Sequence, residues 1–255
     1  MIENPFSLQD YKVVVTGASS GIGRQCAILF SQMGANLILI GRNQLELTKT
    51  LELTNNNNLH TLIQLDLTDY HNVDEFVNSL IEKRIKIQGI VHAAGISTTL
   101  PLRNITPEKL DVFFKTNVIA AINLTKLLTK NVLVSDFGLS IVFLASVMGL
   151  AGEKGKTQYS LTKGALIAGA KSLALELASK NIRVNCVAPG VVVTPMIENA
   201  FYAHNEESLN SIKNLHPLGL GTPHDVANAC VYLLSPASRW VTGTTLIVDG
   251  GYLAK

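Results

Sequence analysis

The sequence predicts an α/β class, doubly wound fold: a seven-stranded parallel sheet flanked by helices. Three observations carry this expectation. Short apolar runs rich in β-branched residues alternate with longer amphipathic ones along the whole chain. A glycine-rich turn joins the first such pair. Of the 255 residues, 47% are hydrophobic, enough to cover a sheet on both faces. A chain of this length buries roughly 70–75% of its unfolded surface, so its core needs no staples.

The first strand is expected at 12–15, where Val13, Val14 and Val15 follow one another. The next run, 22–33, carries Ile22, Cys26, Leu29, Phe30 and Met33 at three- and four-residue steps, the spacing of one helix face. Further strands are expected at 37–40, 61–65, 89–92, 139–144, 183–188 and 245–248. They are short and mostly apolar, as strands buried on both faces are. Helices at 43–54, 70–83, 107–130, 159–179 and 223–234 fall between them. The four asparagines at 55–58 read as a turn. Residues 195–221 lack a strand pattern, and Pro195, Pro217, Gly219 and Gly221 bracket a short helical run. A segment this long predicts a lid or substrate loop, a surface excursion without a role being the alternative. No repeat or linker divides the chain, so one domain over 1–255 is expected.

Composition narrows the function. The formal net charge is +2 and no Lys/Arg cluster marks a nucleic-acid footprint. Cys26, Cys186 and Cys230 form no C-x-x-C pair, which argues for buried thiols in a reducing compartment. The six histidines show no metal-ligand spacing, so no metal is expected. The longest uncharged stretch, 137–152, is too short to span a bilayer, and Glu3 and Asp10 interrupt any early apolar run. A soluble, cytoplasmic chain without a membrane partner is expected.

The glycine turn reads Thr16-Gly17-Ala18-Ser19-Ser20-Gly21-Ile22-Gly23. Gly17 suits the tight turn, Gly21 a close approach of backbone to a pyrophosphate, and Gly23 the packing of helix on strand. Ser19, Ser20 and Ile22 complete the loop, whose free N–H groups and helix dipole favour an anion. In isolation, a glycine-rich connection without a ligand reads the same way. At the end of the second strand, an acidic residue would bond the ribose 2′-hydroxyl of NAD. Here the chain reads Ile40-Gly41-Arg42-Asn43. Arg42 can pair with a 2′-phosphate and stack on adenine, which points to NADP(H) rather than NAD(H). A solvated Arg42 opening a helix is the alternative. Arg24 either adds positive potential nearby or faces water.

Farther along, Tyr159-Ser-Leu-Thr-Lys163 opens the helix after the fifth strand, with Ser146 thirteen residues before the tyrosine. Tyr and Lys at i and i+4 share a helix face. Together with the G-x-x-x-G-x-G spacing and its Thr-Gly opening, this pattern resembles the short-chain dehydrogenase/reductase family over nearly the whole chain. It looks most like the 3-oxoacyl-[acyl-carrier-protein] reductases within it.

The chemistry accounts for the residue types. Reducing a ketone to a secondary alcohol requires hydride at carbon and a proton at oxygen. Tyr159 can donate that proton, and its phenolate can accept one in reverse. Moving a tyrosine pKa from about 10 to near 7 takes roughly 4 kcal/mol of differential stabilisation. The Lys163 ammonium and an oxidised nicotinamide can supply it jointly. Ser146 would hydrogen-bond the substrate oxygen.

The resemblance implies further roles within a Rossmann-like domain. Asp66, followed by Leu67, would bond the adenine amino group, although an Asp after a strand also suits a helix cap, as does Asp69. Ala93, Ala94 and Gly95 would approach the ribose and nicotinamide. His92 stands where the family usually has Asn, and is expected to be buried and hydrogen-bonded rather than catalytic. Asn117 would perturb its helix and hold a water linking Lys163, which grips the ribose hydroxyls, to solvent; alone it reads as a polar core contact. Pro189 and Gly190 would lie beneath the nicotinamide. The Val192 backbone and Thr194 hydroxyl would hold its carboxamide, presenting the pro-S hydride. The segment from Trp240 to Gly251 resembles the family's last strand and subunit interface, implying a homotetramer, with a homodimer as the alternative.

The resemblance implies an NADP(H)-dependent oxidoreductase acting on a small-molecule or carrier-bound ketone. An alcohol, sugar or polyol dehydrogenase is the alternative, and a non-catalytic cofactor-binding regulator a third reading. Carrier-protein reductases have an Arg before the fifth strand where this chain has Phe137 beside Asp136, and their second Arg falls at Lys180. Residues 97–103, 147–156 and 195–215 are expected to line the substrate pocket.

Overall fold

The computed structural model describes residues 4–55, 57–198 and 206–254. Seven strands form one parallel sheet in the order β3-β2-β1-β4-β5-β6-β7. They are β1 (Lys12–Thr16), β2 (Asn36–Gly41), β3 (Thr61–Gln64), β4 (Gly89–His92), β5 (Leu139–Leu144), β6 (Ile182–Pro189) and β7 (Thr245–Val248). All seven expected strands are present. The pairing keeps its register across the sheet: Val14 faces Ile38 on one side and Ile90 on the other.

Alternation along each strand divides the core. Val14, Ile38, Ile90, Ile141, Phe143 and Val184 point to one face. There they meet α3 (Tyr70–Glu82), α5 (Ala120–Leu128) and α6 (Thr157–Leu177). Val13, Val15, Leu37, Leu39, Val91, Val142 and Val187 point to the other, against α1 (Gly21–Gln32), α2 (Gln44–Glu52) and α9 (Pro223–Leu234). Both faces are thus dry, which is why the strands read as apolar runs. Cys26, Cys186 and Cys230 are buried free thiols within these layers.

The helix expected over 107–130 is not continuous. α4 (Pro107–Phe114) passes through a π turn at Lys115–Ile119 before α5 begins. The Ala120 N–H reaches back five residues to the Lys115 carbonyl. Within 195–221 the described chain forms α7 (Pro195–Glu198) and α8 (Glu206–Asn214), the short helical run that the sequence brackets. Residues 199–205 of that segment lie outside the described chain. Among the described residues, no helix is long and apolar enough to cross a membrane.

The chain runs outward from β1 to β3 and then returns to place β4 on β1's other side. At that reversal two loops leave in opposite directions and a crevice opens at the strand C-termini, where such sheets receive ligands.

Candidate active site

The crevice is a cleft of about 330 Å³. One wall is the turn between β1 and α1: Gly17, Ser19, Ser20, Gly21, Ile22 and Gly23. A Cβ on Gly17 would lie 2.8 Å from the Ala94 nitrogen, and one on Gly23 would lie 2.2 Å from the Gly17 carbonyl oxygen. Gly17 therefore lets the turn press against the end of β4, a contact that turn chemistry alone does not reveal. Gly23 lets the helix pack on the strand end, as its spacing suggests.

Thr16 draws the same two strand ends together. Its buried Oγ1 accepts the N–H groups of both Ala93 and Ala94, each at 3.1 Å. Sequence reading did not single out this role, because the hydroxyl's partners lie 77 and 78 residues away.

The start of α1 differs from those of α2, α3, α4 and α9, though α6 likewise lacks a side-chain cap. Asn43, Asp69 and Thr106 accept backbone N–H groups at the starts of α2, α3 and α4. At α9, Asp225 Oδ2 accepts the Thr222 N–H at 2.7 Å. Ser20 makes no side-chain cap to α1, whose first turn carries no acidic residue. Its first-turn N–H groups are left for an anion from outside.

Arg42 and Asp66 stand exposed at the ends of β2 and β3, on the cleft's rim. Asp66 Oδ1 accepts the Thr68 N–H at 2.9 Å and the Thr68 hydroxyl at 2.8 Å. These bonds, the backbone one first, hold its carboxyl below the usual range, with help from the positive charges of Arg42 and Lys115. The α3 cap is Asp69, which accepts the Asn72 N–H at 3.2 Å, so Asp66 is not needed there. Arg24 does not supply free positive potential. It pairs with Glu46 at 2.6 Å, donates to Thr50 at 3.0 Å and holds the Ser19 carbonyl. It braces the turn's backbone instead.

Gly41 is buried between Leu47 and Ser19: a Cβ there would lie 3.2 Å from Leu47 Cδ2 and 3.3 Å from Ser19 Oγ. A carboxylate side chain at this position would force its neighbours to give way.

The cleft's inner end gathers Ala93, Ala94, Gly95, Ser146, Tyr159 and Lys163. Pro189, Gly190, Val192, Thr194 and Leu67 also line the cleft. Ser146 follows β5, is buried, and accepts the Met148 N–H at 3.2 Å. Lys163 is buried, donates to the Leu144 carbonyl at 2.7 Å, and places Nζ 5.5 Å from the centre of the Tyr159 ring. Burial lowers its pKa to about 8.

Asn117 sits in the π turn, buried just behind the cleft rather than in its lining. Its Oδ1 accepts the Ile96 N–H at 2.8 Å. Its Nδ2 donates to the Ile96 carbonyl at 3.0 Å and to Thr162 Oγ1 at 3.1 Å. The Thr162 hydroxyl donates onward to the Tyr159 carbonyl at 2.8 Å. Asn117 thus ties the tail of β4 to the helix bearing Tyr159 and Lys163.

His92 is buried. Its ring stacks on Phe143 with centroids 4.8 Å apart, and Nε2 lies 2.8 Å from Thr125 Oγ1. It is absent from the cleft lining.

The cleft takes Pro195 and Met196 from the expected substrate segments, but no residue of 97–103 or 147–156. Those two segments meet each other, the Leu100 N–H donating to the Gly155 carbonyl at 2.7 Å. Among the described residues, no group of three His, Cys, Asp or Glu side chains could hold a metal ion.

Comparison with known proteins gives this arrangement a context. A family model described as Enoyl-(Acyl carrier protein) reductase matches residues 17–253. The chain is 35% identical over 243 residues to the 3-oxoacyl-[acyl-carrier-protein] reductase FabG of Thermotoga maritima, covering 93% of this chain and 96% of that one. It is 33% identical over 251 residues to a chloroplastic tropinone reductase homolog of Arabidopsis thaliana, covering 96% and 76%. Among solved structures, ElxO with NADP bound superimposes with a TM-score of 0.88 at 29% identity, covering 97% of this chain and 100% of that one. A candidate NAD(P)-dependent gluconate 5-dehydrogenase from Beutenbergia cavernae, with NADP at low occupancy, gives 0.89 at 28%, covering 99% and 100%. The chain belongs to the short-chain dehydrogenase/reductase family, oxidoreductases that bind a nicotinamide cofactor.

Proposed function

We propose that this chain is an NADP(H)-dependent reductase that converts a ketone, a 3-oxoacyl group or a related carbonyl, to a secondary alcohol. The observation that carries the reading is convergence. Ser146, Tyr159 and Lys163 come from a strand end and a helix to meet in the cleft that the glycine turn and Arg42 also enter. The uncapped first turn of α1 fits a pyrophosphate, and the exposed guanidinium of Arg42 fits a 2′-phosphate.

When bound, the cofactor supplies hydride for the carbonyl carbon. In this reading the turn from Gly17 to Gly23 holds the pyrophosphate, and Asp66 and Leu67 meet the adenine. Ala93, Ala94 and Gly95 pass beside the ribose. Pro189, Gly190, Val192 and Thr194 hold the nicotinamide end. Ser146 donates a hydrogen bond to the substrate oxygen and orients the carbonyl. Tyr159 gives its phenolic proton to the same oxygen as negative charge builds there. Lys163 favours the resulting phenolate by its positive charge and grips the ribose hydroxyls. Asn117 fixes the helix that carries both and lies on the proton route from Lys163 to water.

The relatives named as 3-oxoacyl-[acyl-carrier-protein] reductases support the carbonyl assignment, and the NADP-bound neighbours support the cofactor. A second reading, oxidation of an alcohol or sugar acid, draws on the gluconate dehydrogenase neighbour and uses the same groups in reverse. The proposal includes a cytoplasmic location, a substrate loop over 195–221 and a homotetramer. Apolar surface supports the assembly: Leu175 of α6 is 84% exposed and Trp240, before β7, is 91% exposed.

A panel of carbonyl compounds incubated with NADPH tests the reading, including a 3-oxoacyl thioester on a carrier protein and on coenzyme A. Sugar acids with NADP⁺ form the opposing arm. NADPH consumption with a ketone supports reduction. Turnover confined to the oxidative arm favours the second reading, and turnover with none of them counts against an enzyme of this kind.

A further inference from the structure

A buried imidazole outside the cleft lining holds part of the cleft's wall. His216 follows α8 and is 3% exposed. Its Nδ1 lies 2.8 Å from the Ile212 carbonyl. A carbonyl only accepts, so Nδ1 carries the proton. Nε2 accepts the Val191 N–H at 3.1 Å. One ring therefore joins the last turn of α8 to the loop after β6.

The surroundings leave this ring little freedom. It leans on Tyr252 with centroids 5.1 Å apart. A Cβ on Gly190 would lie 2.9 Å from His216 Nε2 and 2.9 Å from Asp249 Cα, so the loop is pinched between the imidazole and the C-terminal turn. A second fastening lies beside the first. The Gly221 N–H donates to the Val191 carbonyl at 3.0 Å, and the Val193 N–H donates to the Gly221 carbonyl at 2.9 Å. Both backbone polar groups of Val191 are thus held by the 216–221 segment. The following residues, Val192 and Thr194, enter the cleft.

We infer that His216 is a positioning residue that couples α8 to the nicotinamide end of the cleft by holding the Val191 backbone. The inference rests on the dinucleotide reading above. His216 acts through the loop and touches neither cofactor nor substrate. Arg42 and Asp66 leave β2 and β3, on the far side of β1 from this loop. The effect of His216 is therefore confined to the nicotinamide half.

Two ligands separate the halves: NADPH, and 2′,5′-ADP, which lacks the nicotinamide. His216→Leu removes both hydrogen bonds while keeping bulk. His216→Gln retains an acceptor and a donor. Calorimetry is expected to show NADPH binding weakened about tenfold in the Leu variant, the size expected for one lost buried hydrogen bond. Binding of 2′,5′-ADP should stay within about twofold of wild type, and the Gln variant should recover most of the NADPH affinity. The KM for NADPH should rise by more than kcat falls. A folded Leu variant that binds NADPH as wild type does, or that loses both ligands equally, overturns the inference.

Hydrogen exchange on the wild-type protein gives an answer that needs no variant. NADPH, but not 2′,5′-ADP, should slow exchange at the 191–194 and 210–216 amides together. Equal protection by both ligands, or protection of one segment alone, also overturns it. Wild-type protein that binds neither ligand refutes the dinucleotide reading itself, a result distinct from these.

Discussion

The Lys163 amine lies 5.5 Å from the centre of the Tyr159 ring and spends one hydrogen-bond donor on the Leu144 carbonyl, 2.7 Å away. Burial brings this amine's pKa down to about 8. At neutral pH it is still an ammonium, placed to favour the phenolate of its neighbour.

That arrangement costs stability. An unfolded lysine titrates near 10.4, so between about pH 8 and 10.4 the unfolded chain holds more protons than the folded one. The cost is present in full below pH 8 and is relieved as pH rises through that window. Replacing Lys163 with Met is expected to leave Tm at pH 7 within about 3 °C of wild type, or above it. Carbonyl reduction should fall by at least about 100-fold. Thermal melts and initial rates check this; a large fall in Tm with turnover intact contradicts it.

His92 makes an acid-side prediction of the same sign. Burial lowers its pKa to about 3, far below the usual imidazole value. Between that value and about 6.5 the unfolded chain binds the additional proton. The stabilising contribution is therefore present above pH 6.5 and is lost as pH falls through the window. From pH 7 to pH 5 it should diminish by about 2 kcal/mol. Urea unfolding at both values, in wild type and His92→Asn, measures it. The variant should lose less stability on acidification and keep its turnover; identical losses in the two proteins contradict the account.

The cofactor preference is expected to reside at Gly41 and Arg42. Wild type should bind NADPH more tightly than NADH. Arg42→Ala should narrow that gap by about tenfold, the scale of one charge-assisted contact. Gly41→Asp should also favour NADH, but less cleanly, because its Cβ meets Leu47 at 3.2 Å and Ser19 at 3.3 Å. Titrations with both cofactors decide the matter, and equal wild-type affinities contradict it.

These predictions draw on features of unequal legibility. The strands were readable because a sheet buried on both faces leaves uninterrupted apolar runs. The glycine turn and the Tyr159–Lys163 pair were readable because local spacing specifies them. The π turn at Lys115–Ile119 was legible only through the family resemblance, which implies that Asn117 perturbs its helix: a one-residue widening barely disturbs a helical period, and the contacts of Asn117 lie at Ile96 and Thr162. Arg24 was ambiguous for the same reason, its partner Glu46 being 22 residues away. His216 carried no local signal, since its meaning depends on a loop 25 residues earlier. The bond that joins the 97–103 and 147–156 segments, Leu100 N–H to the Gly155 carbonyl, carried no local signal either, since its partners lie 55 residues apart.

The central claim is that the Tyr159 hydroxyl transfers the proton that accompanies hydride transfer. The most direct measurement compares Tyr159→Phe with wild type in two assays on the same preparation: NADPH binding, and single-turnover reduction of a ketone that wild type accepts. Removing one hydroxyl should leave cofactor affinity within about threefold and slow the reductive step by at least about 100-fold. A variant that binds NADPH normally and reduces the ketone at the wild-type rate would contradict the account.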